Sequence, residues 1–237
     1  MIITFGMPIV GDLPGDAVQE QFRTLFRLGR VAEREGHEVL ISCPPNILPH
    51  DRARMAVWDE AMGVHSDLIF FVDSDTLIPA GAFEELLKIH LQSKAPLVTG
   101  HYIRRGWPFT STWSKVYNGQ FQQVDAKEGI HEIDTCGLGC ALVDVHWVNK
   151  NLKPPYFTME MGERSCVVTD DVAFCTRIRE AGGLILGHAG IRCIHLGNRM
   201  GICDQTASAL RQMYLQQNGV NHARSKSHGE PALQTGH

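Results

Sequence analysis

The chain of 237 residues lacks a strong charge of either sign and lacks a long apolar run. Its formal net charge is −4, so the chain as a whole has no basic field that would hold nucleic acid by counterion release. No stretch reaches the length of about 18 apolar residues that a membrane-spanning helix needs. The first residues, MIITFGMPIV, contain no basic segment followed by a cleavage site. We therefore expect a soluble, cytoplasmic protein without a signal peptide or a membrane span.

The sequence also lacks a cysteine pattern typical of zinc sites or disulfide frameworks. Its seven cysteines are dispersed and odd in number, which in a chain of this length is typical of reduced core thiols. The spacing of Cys136 and Cys140 is not that of a zinc ribbon, and no second pair with matching histidines follows. We do not expect structural zinc.

Alternating strand-like and helix-like segments occupy the first hundred residues. The β-branched run IITFGMPIV precedes a helical pattern at 15–36, in which Val18, Phe22, Leu25 and Phe26 share one apolar face. The strand-like run HEVLIS, a second helical pattern and the apolar run DLIFFVD follow. Because parallel neighbours need a crossover connection, this order predicts an α/β fold with a Rossmann-like, mostly parallel central sheet flanked by helices.

The composition of the sequence changes after residue 104, where aromatic and turn residues become frequent. Asn118-Gly119 lies between apolar positions, which predicts a hairpin, and we expect a smaller mixed sheet in this half. From about Asn218 the chain is polar and without periodic pattern. Residues 218–237 are therefore expected to form a flexible tail.

The apolar run DLIFFVDSDTLIP ends in two carboxylates, Asp73 and Asp75. Ligands bind at the carboxyl ends of strands in open parallel sheets, and residues two apart on extended backbone point to the same side. Two carboxylates so close repel each other unless a cation compensates, and a divalent metal holding a diphosphate would do so. The alternative is that both aspartates only cap the turn before TLIPAGAFEEL.

Two later segments add candidate polar groups. Asp170 and Asp171 begin a helical pattern, where acids are ordinary caps, although a carboxylate fixed there can also act as a general base. His195 ends the apolar run GIRCIHL, a usual place for a core histidine. With two aspartates at another strand end, it becomes a candidate third metal ligand.

Four features in this order give the chain a family resemblance. MPIV follows the first strand, DRAR precedes a helix, FVDSD follows the third strand, and TDDVAFCTRIREAGG is followed by IRCIHLG. From Met1 to about Gly197 the chain resembles a glycosyltransferase of the GT-A fold, similar to family 2. The resemblance implies one catalytic domain over 1–217, with a nucleotide-binding half at 1–100 and an acceptor-side half at 101–217.

The resemblance also implies roles for the polar groups. Asp75 would bind Mn²⁺ or Mg²⁺, Asp73 would contact the ribose or share the metal, and His195 would complete the coordination. Asp171 would be the catalytic base of an inverting transfer, with Asp170 before it.

A nucleoside-diphosphate sugar is the donor that the resemblance implies, with a UDP-sugar as the first candidate. Pro8 and Ile9 would line the base pocket, Arg54 would lie near the diphosphate, and Ser74 would contact the donor between the two aspartates. The acceptor stays open between a glycan, a metabolite, a protein side chain and a modified nucleobase, and the oligomeric state is open too.

Glycines and aromatic residues provide further candidates. Gly137 and Gly139 would let backbone approach the sugar, or they would only permit a bulge or tight packing in a strand. Arg105, Trp107 and Trp113 are candidates for the acceptor side, since aromatic rings stack on sugar or base faces. For the tryptophans, the alternative is a hydrophobic lid or a dimer contact.

Two rival functions remain at this point. A nucleotidyltransferase that makes sugar nucleotides would have a glycine- and lysine-rich phosphate loop, whereas no lysine or arginine precedes Arg23 here. A non-catalytic nucleotide-sugar-binding module would not need both a metal set and a poised acid pair.

Overall fold

The computed structural model describes residues 1–9, 15–162, 166–197 and 200–217. In chain order the elements are β1 (Ile2–Gly6), α1 (Gly15–Glu35), β2 (Glu38–Ser42), α2 (His50–Gly63), β3 (Leu68–Val72), β4 (Thr76–Leu77), α3 (Ala82–Ser93), β5 (Leu97–His101), β6 (Ser114–Tyr117), β7 (Gln120–Gln123), β8 (Ile130–Glu132), β9 (Cys140–Asp144), α4 (Val145–Asn151), β10 (Glu160–Met161), β11 (Cys166–Val168), α5 (Asp170–Glu180), β12 (Ile185–Arg192), β13 (Ile194–Gly197), β14 (Met200–Ile202) and α6 (Asp204–Gln217). The expected tail, 218–237, lies outside the described residues.

The central sheet has seven strands in the order β2-β1-β3-β9-β5-β12-β8. β1 pairs in parallel with β2 and β3, and β5 pairs in parallel with β12. β9 runs antiparallel to both β3 and β5, and β8 runs antiparallel to β12. The mostly parallel central sheet flanked by helices is therefore confirmed.

The third strand is buried on both of its faces. Phe70 and Val72 belong to the core formed with α1 and α3, whereas Ile69 and Phe71 belong to the core formed with α2 and α5. All of β3 is buried. A strand covered by helices on both faces has a continuous apolar sequence. The sequence therefore predicted this strand well.

Smaller sheets lie outside the central sheet. β6 and β7 form the predicted hairpin, with Asn118 and Gly119 at positive φ in its turn. β4, β13 and β14 form a three-stranded sheet in which both pairings are antiparallel. In this sheet His195 pairs with Thr76, so a late strand comes beside the segment that follows β3.

The buried face of α1 differs from the expectation. Leu28 and Val31 face the core, but Phe22 is 59% exposed and Phe26 is 74% exposed. The helix turns its Gln21, Thr24, Leu28 stripe to the sheet, and the two phenylalanines lie more than a quarter-turn away from it, with Phe26 almost opposite. The prediction of one buried apolar face was therefore wrong for Phe22 and Phe26.

Among the described residues, no helix is both long and apolar enough to cross a bilayer. The cytoplasmic location stays a prediction.

Candidate functional site

The two aspartates after β3 lie in a turn and not on extended backbone. The amide of Thr76 donates to the Asp73 carbonyl oxygen over 2.9 Å, which closes the chain on itself. Gln21 of α1 holds this turn, since its Nε2 donates to the carbonyl oxygens of Asp73 and Thr76. Asp73 and Asp75 consequently have different protein partners, and the prediction that they are neighbours on extended backbone was wrong, whereas their contact with one ligand stays a prediction.

A buried arginine holds Asp73 in place. Arg54 of α2 is 7% exposed, and its Nη2 donates to Asp73 Oδ1 while its Nε donates to Asp170 Oδ2, both over 2.8 Å. Its guanidinium also lies 5.5 Å from the centre of the Phe71 ring. Burial by itself would lower the pKa of Arg54, but the charges of Asp73 and the acid pair outweigh it and raise this pKa. Arg54 thus joins α2, the end of β3 and the start of α5, and its predicted place near a diphosphate stays a prediction.

The second acid of α5 is the more available one. Asp171 is half-buried, and its Oδ1 accepts from the Val172 amide over 2.8 Å and from the Thr169 hydroxyl. Burial, followed by the charge of Asp170, raises the pKa of Asp171. Its Oδ2 lies 3.5 Å from the position that a Cβ on Gly137 would occupy. A carboxylate with a raised pKa and one oxygen facing a glycine backbone is suited to accept a proton.

A tyrosine that the sequence analysis missed lies between these groups. Tyr102, directly after β5, is 3% exposed, and its hydroxyl accepts from the Gly139 amide over 2.9 Å. A Cβ on Gly137 would overlap this hydroxyl, and one on Gly139 would lie 3.0 Å from Asp73 Oδ2. Burial, with the charges of Asp73 and Asp171, raises the pKa of Tyr102 well above its usual range. The two glycines therefore permit close packing against Tyr102 and bring this backbone beside both aspartates.

The sequence contains one signal that would have found Tyr102. It follows the apolar run APLVTGH, so it stands at a strand end, as Asp73 does. The aspartates were selected because ligands bind at the carboxyl ends of parallel strands. β3 and β5 both run antiparallel to β9, which lies between them, so β5 points in the same direction as β3 and is also parallel to β12. The same rule therefore applies to the residue after β5.

Asp75 and His195 are brought together by the small sheet. The Leu196 amide donates to the Asp75 carbonyl oxygen over 2.7 Å, and His195 Nε2 lies 3.4 Å from Asp75 Oδ2. The other ring nitrogen, Nδ1, lies 3.0 Å from the Ile103 carbonyl oxygen. Asp75 Oδ2 also pairs with Arg105, and the assignment of Arg105 to the acceptor side stays a prediction.

The pairing shifts both titratable groups. Burial alone would raise the pKa of Asp75, but the hydrogen bond and charge of His195 and the charge of Arg105 lower it. Burial alone would lower the pKa of His195, but the hydrogen bond and charge of Asp75 raise it. The result is a charge-paired acid and base at the edge of the site.

The residues fit a divalent metal only in part. Within the described ranges, no group of three or more His, Cys, Asp or Glu residues could hold a metal ion. Asp75 and His195 form a pair, and a carbonyl on Nδ1 is the usual arrangement that leaves Nε2 for a metal. Asp73, the third predicted ligand, is turned to Arg54. Further ligands would come from a bound phosphate and from water, as is common for Mg²⁺.

The remaining predicted residues lie in three different environments. Pro8 is buried and Ile9 is half-buried just after β1, while Ser74 is half-buried in the turn between the aspartates. Trp107 is 47% exposed and stacks on Tyr214 of α6, with ring centres 4.5 Å apart. Trp113 is fully buried and donates to the Gly100 carbonyl oxygen over 3.2 Å. Its assignment to an acceptor surface was therefore wrong, because the ring fills the core.

Comparisons with known proteins bear on the fold. No protein-family model and no curated protein sequence matches the chain. The chain is similar to the crystal structure of A197 from STIV, with 15% identity and a TM-score of 0.59 over 86% of this chain and 91% of that one. It also matches GalNAc-T7 crystallised with UDP, GalNAc and Mn²⁺, with 10% identity and a TM-score of 0.48 over 83% of this chain and 43% of that one. The predicted GT-A fold is confirmed, whereas membership of family 2 stays a prediction.

Proposed function

We propose that the chain is a glycosyltransferase that moves a sugar from a nucleoside-diphosphate sugar to an acceptor hydroxyl. The observation that carries this proposal is the convergence at one edge of the sheet. There Arg54 joins Asp73 to the acid pair of α5, and Asp75 pairs with His195. The GT-A fold of the chain supports the same conclusion.

Asp171 is proposed as the general base of an inverting transfer. Its carboxylate would take the proton of the acceptor hydroxyl while that oxygen attacks the anomeric carbon and the bond to the diphosphate breaks. The raised pKa of Asp171 strengthens it as a proton acceptor near neutral pH. Base assistance of this kind contributes about 10² to 10⁴ in rate.

The donor would lie along the ends of β1 and β3. Pro8 and Ile9 would contact the base, Asp73 the ribose, and Ser74 and the Gly137–Gly139 backbone the diphosphate or sugar. Arg54 and Tyr102 would hold Asp73 and that backbone in register. When bound, Mn²⁺ or Mg²⁺ held by Asp75 and His195 would neutralise charge on the leaving diphosphate.

A donor panel tests the proposal directly. Calorimetry measures the binding of UDP-, GDP-, TDP- and CMP-sugars to wild type, to Asp171→Asn and to the surface control Asp125→Asn. Each protein is then assayed with each donor for transfer or slow hydrolysis. We expect one donor to bind all three proteins with similar affinity and to turn over in wild type and the control only. Binding without turnover in wild type would assign a nucleotide-sugar-binding module, and synthesis of a sugar nucleotide would assign the rival enzyme class.

A further inference from the structure

The outward face of α1 combines basic and apolar side chains. It carries four arginines spaced four, three and four residues apart, which places them along one line of the helix: Arg23, Arg27, Arg30 and Arg34. Phe22 and Phe26 lie beside this line, one turn apart, with 59% and 74% of their surfaces exposed. Two exposed phenylalanines next to an arginine line require an explanation other than core packing.

The same face borders a groove between α1 and α3. A cavity of about 530 Å³ is lined by Arg27, Arg30, Val31, Glu33, Arg34 and Glu84. Three guanidinium groups thus outnumber two carboxylates. Within the part of the chain that the structure describes, Arg27 and Arg30 form no ion pair, whereas Arg34 lies 3.6 Å from Glu35. Unpaired guanidinium groups are the side chains best suited to bind phosphate.

We propose that this face of α1 docks on an anionic phospholipid bilayer. Headgroup phosphates would bind Arg27 and Arg30, and the rings of Phe22 and Phe26 would enter the interface between headgroups and acyl chains. Basic helices with aromatic side chains bind membrane surfaces by this combination of charge and apolar burial. The proposal goes beyond the glycosyl transfer proposed above and does not depend on it.

Charge selects the bilayer over a second copy of the chain. A two-fold contact through this face would bring two arginine lines against each other, which is unfavourable. A soluble polyanion would neutralise the arginines but would leave both phenylalanines in water. An anionic bilayer satisfies both kinds of side chain.

The docking face begins beside the candidate site. Gln21, which precedes Phe22, donates to the carbonyl oxygens of Asp73 and Thr76 and so holds the turn between the aspartates. A bilayer bound at Phe22 and Phe26 would therefore lie on the outer side of α1, with the helix between it and the end of β3. Docking would fix the orientation of the site relative to the membrane.

Vesicle flotation tests the proposal on the full chain. Phosphatidylcholine vesicles with and without phosphatidylglycerol are mixed with wild type, Arg27→Gln/Arg30→Gln and Phe22→Ser/Phe26→Ser. Matched controls are Lys150→Gln/Lys153→Gln for charge and Tyr117→Ser/Phe121→Ser for exposed aromatics. We expect wild type and both controls to bind the anionic vesicles. The arginine pair should weaken binding roughly 30-fold, since each arginine near an anionic surface contributes about fivefold. The phenylalanine pair should also float poorly, and added salt should weaken wild-type binding.

Melting temperatures separate docking from folding. All substituted side chains but Arg27 are exposed, so the variants should melt close to wild type. Absence of phosphatidylglycerol-dependent flotation by wild type would overturn the proposal, as would equal flotation of wild type and both α1 variants. A dimer in sedimentation velocity that Phe22→Ser/Phe26→Ser dissociates would assign the face to a second copy instead.

Discussion

Replacing Arg54 by Met is expected to destabilise the whole fold, because Arg54 is the only residue in the described ranges that forms an ion pair with the buried carboxylate of Asp170. The side chains of Arg54 and Asp170 are 8% and 9% exposed, and Arg54 also binds Asp73, which is 25% exposed. Removing one partner of a buried ion pair costs about 3–5 kcal/mol, since the remaining charge stays buried without compensation. For a chain of this size each kcal/mol lowers the melting temperature by about 2–4 °C, so the expected decrease is roughly 6–20 °C.

Urea unfolding followed by tryptophan fluorescence measures this effect. Arg52→Met on the same helix is the matched control, because the Arg52 side chain is exposed, and it should change the free energy of unfolding by less than about 0.5 kcal/mol. Arg54→Met/Asp170→Asn should recover part of the loss, because it removes the uncompensated charge. A loss below about 1 kcal/mol in Arg54→Met, or no recovery in the double variant, would refute the reasoning from burial.

Three further predictions concern the other site residues. In wild type, kcat/KM should rise with pH through a pKa above that of an ordinary aspartate, because only ionised Asp171 accepts a proton and burial raises its pKa. A pH profile of kcat/KM without this rise would contradict the assignment of Asp171 as the base. The raised pKa of Asp171 means that its ionised form is unfavourable in the folded chain, so Asp171→Asn should melt at or above the wild-type temperature at neutral pH. This gain in melting temperature should vanish at acid pH, where Asp171 is protonated, and calorimetry at both pH values checks it. Trp113→Ala should lower the free energy of unfolding by about 3–5 kcal/mol, whereas Trp107→Ala should cost far less, and equal losses in urea titrations would contradict their different burial.

The sequence predicted the elements whose pattern is local. The continuous apolar run of β3 and the Asn118-Gly119 turn follow from neighbouring residues, and the structure contains both. Asp75 and His195 were expected to share a metal, and the β4–β13 ladder brings the two side chains within 3.4 Å of each other, whereas the shared metal stays a prediction. Carboxyl-end reasoning therefore located the edge of the sheet where the polar groups meet.

The errors arose where a contact between distant segments decides the outcome. Asp73 turns to Arg54 because the backbone bends after β3, so alternation along a strand no longer applies. Trp113 is buried because it packs over Gly187 of β12, which residue type alone does not indicate. Phe26 is exposed although it is apolar, since the sheet contacts the opposite side of α1.

Nucleoside diphosphate release from a donor sugar, with Mn²⁺ or Mg²⁺, in wild type and Asp75→Ala is the decisive measurement for the proposed glycosyl transfer. We expect slow, metal-dependent release from one donor in wild type and its loss in Asp75→Ala, while both proteins stay folded. No release from any donor with either metal, with Asp75→Ala changing only thermal stability, would contradict it. The Asp75–His195 pair would then be a structural contact on a GT-A fold.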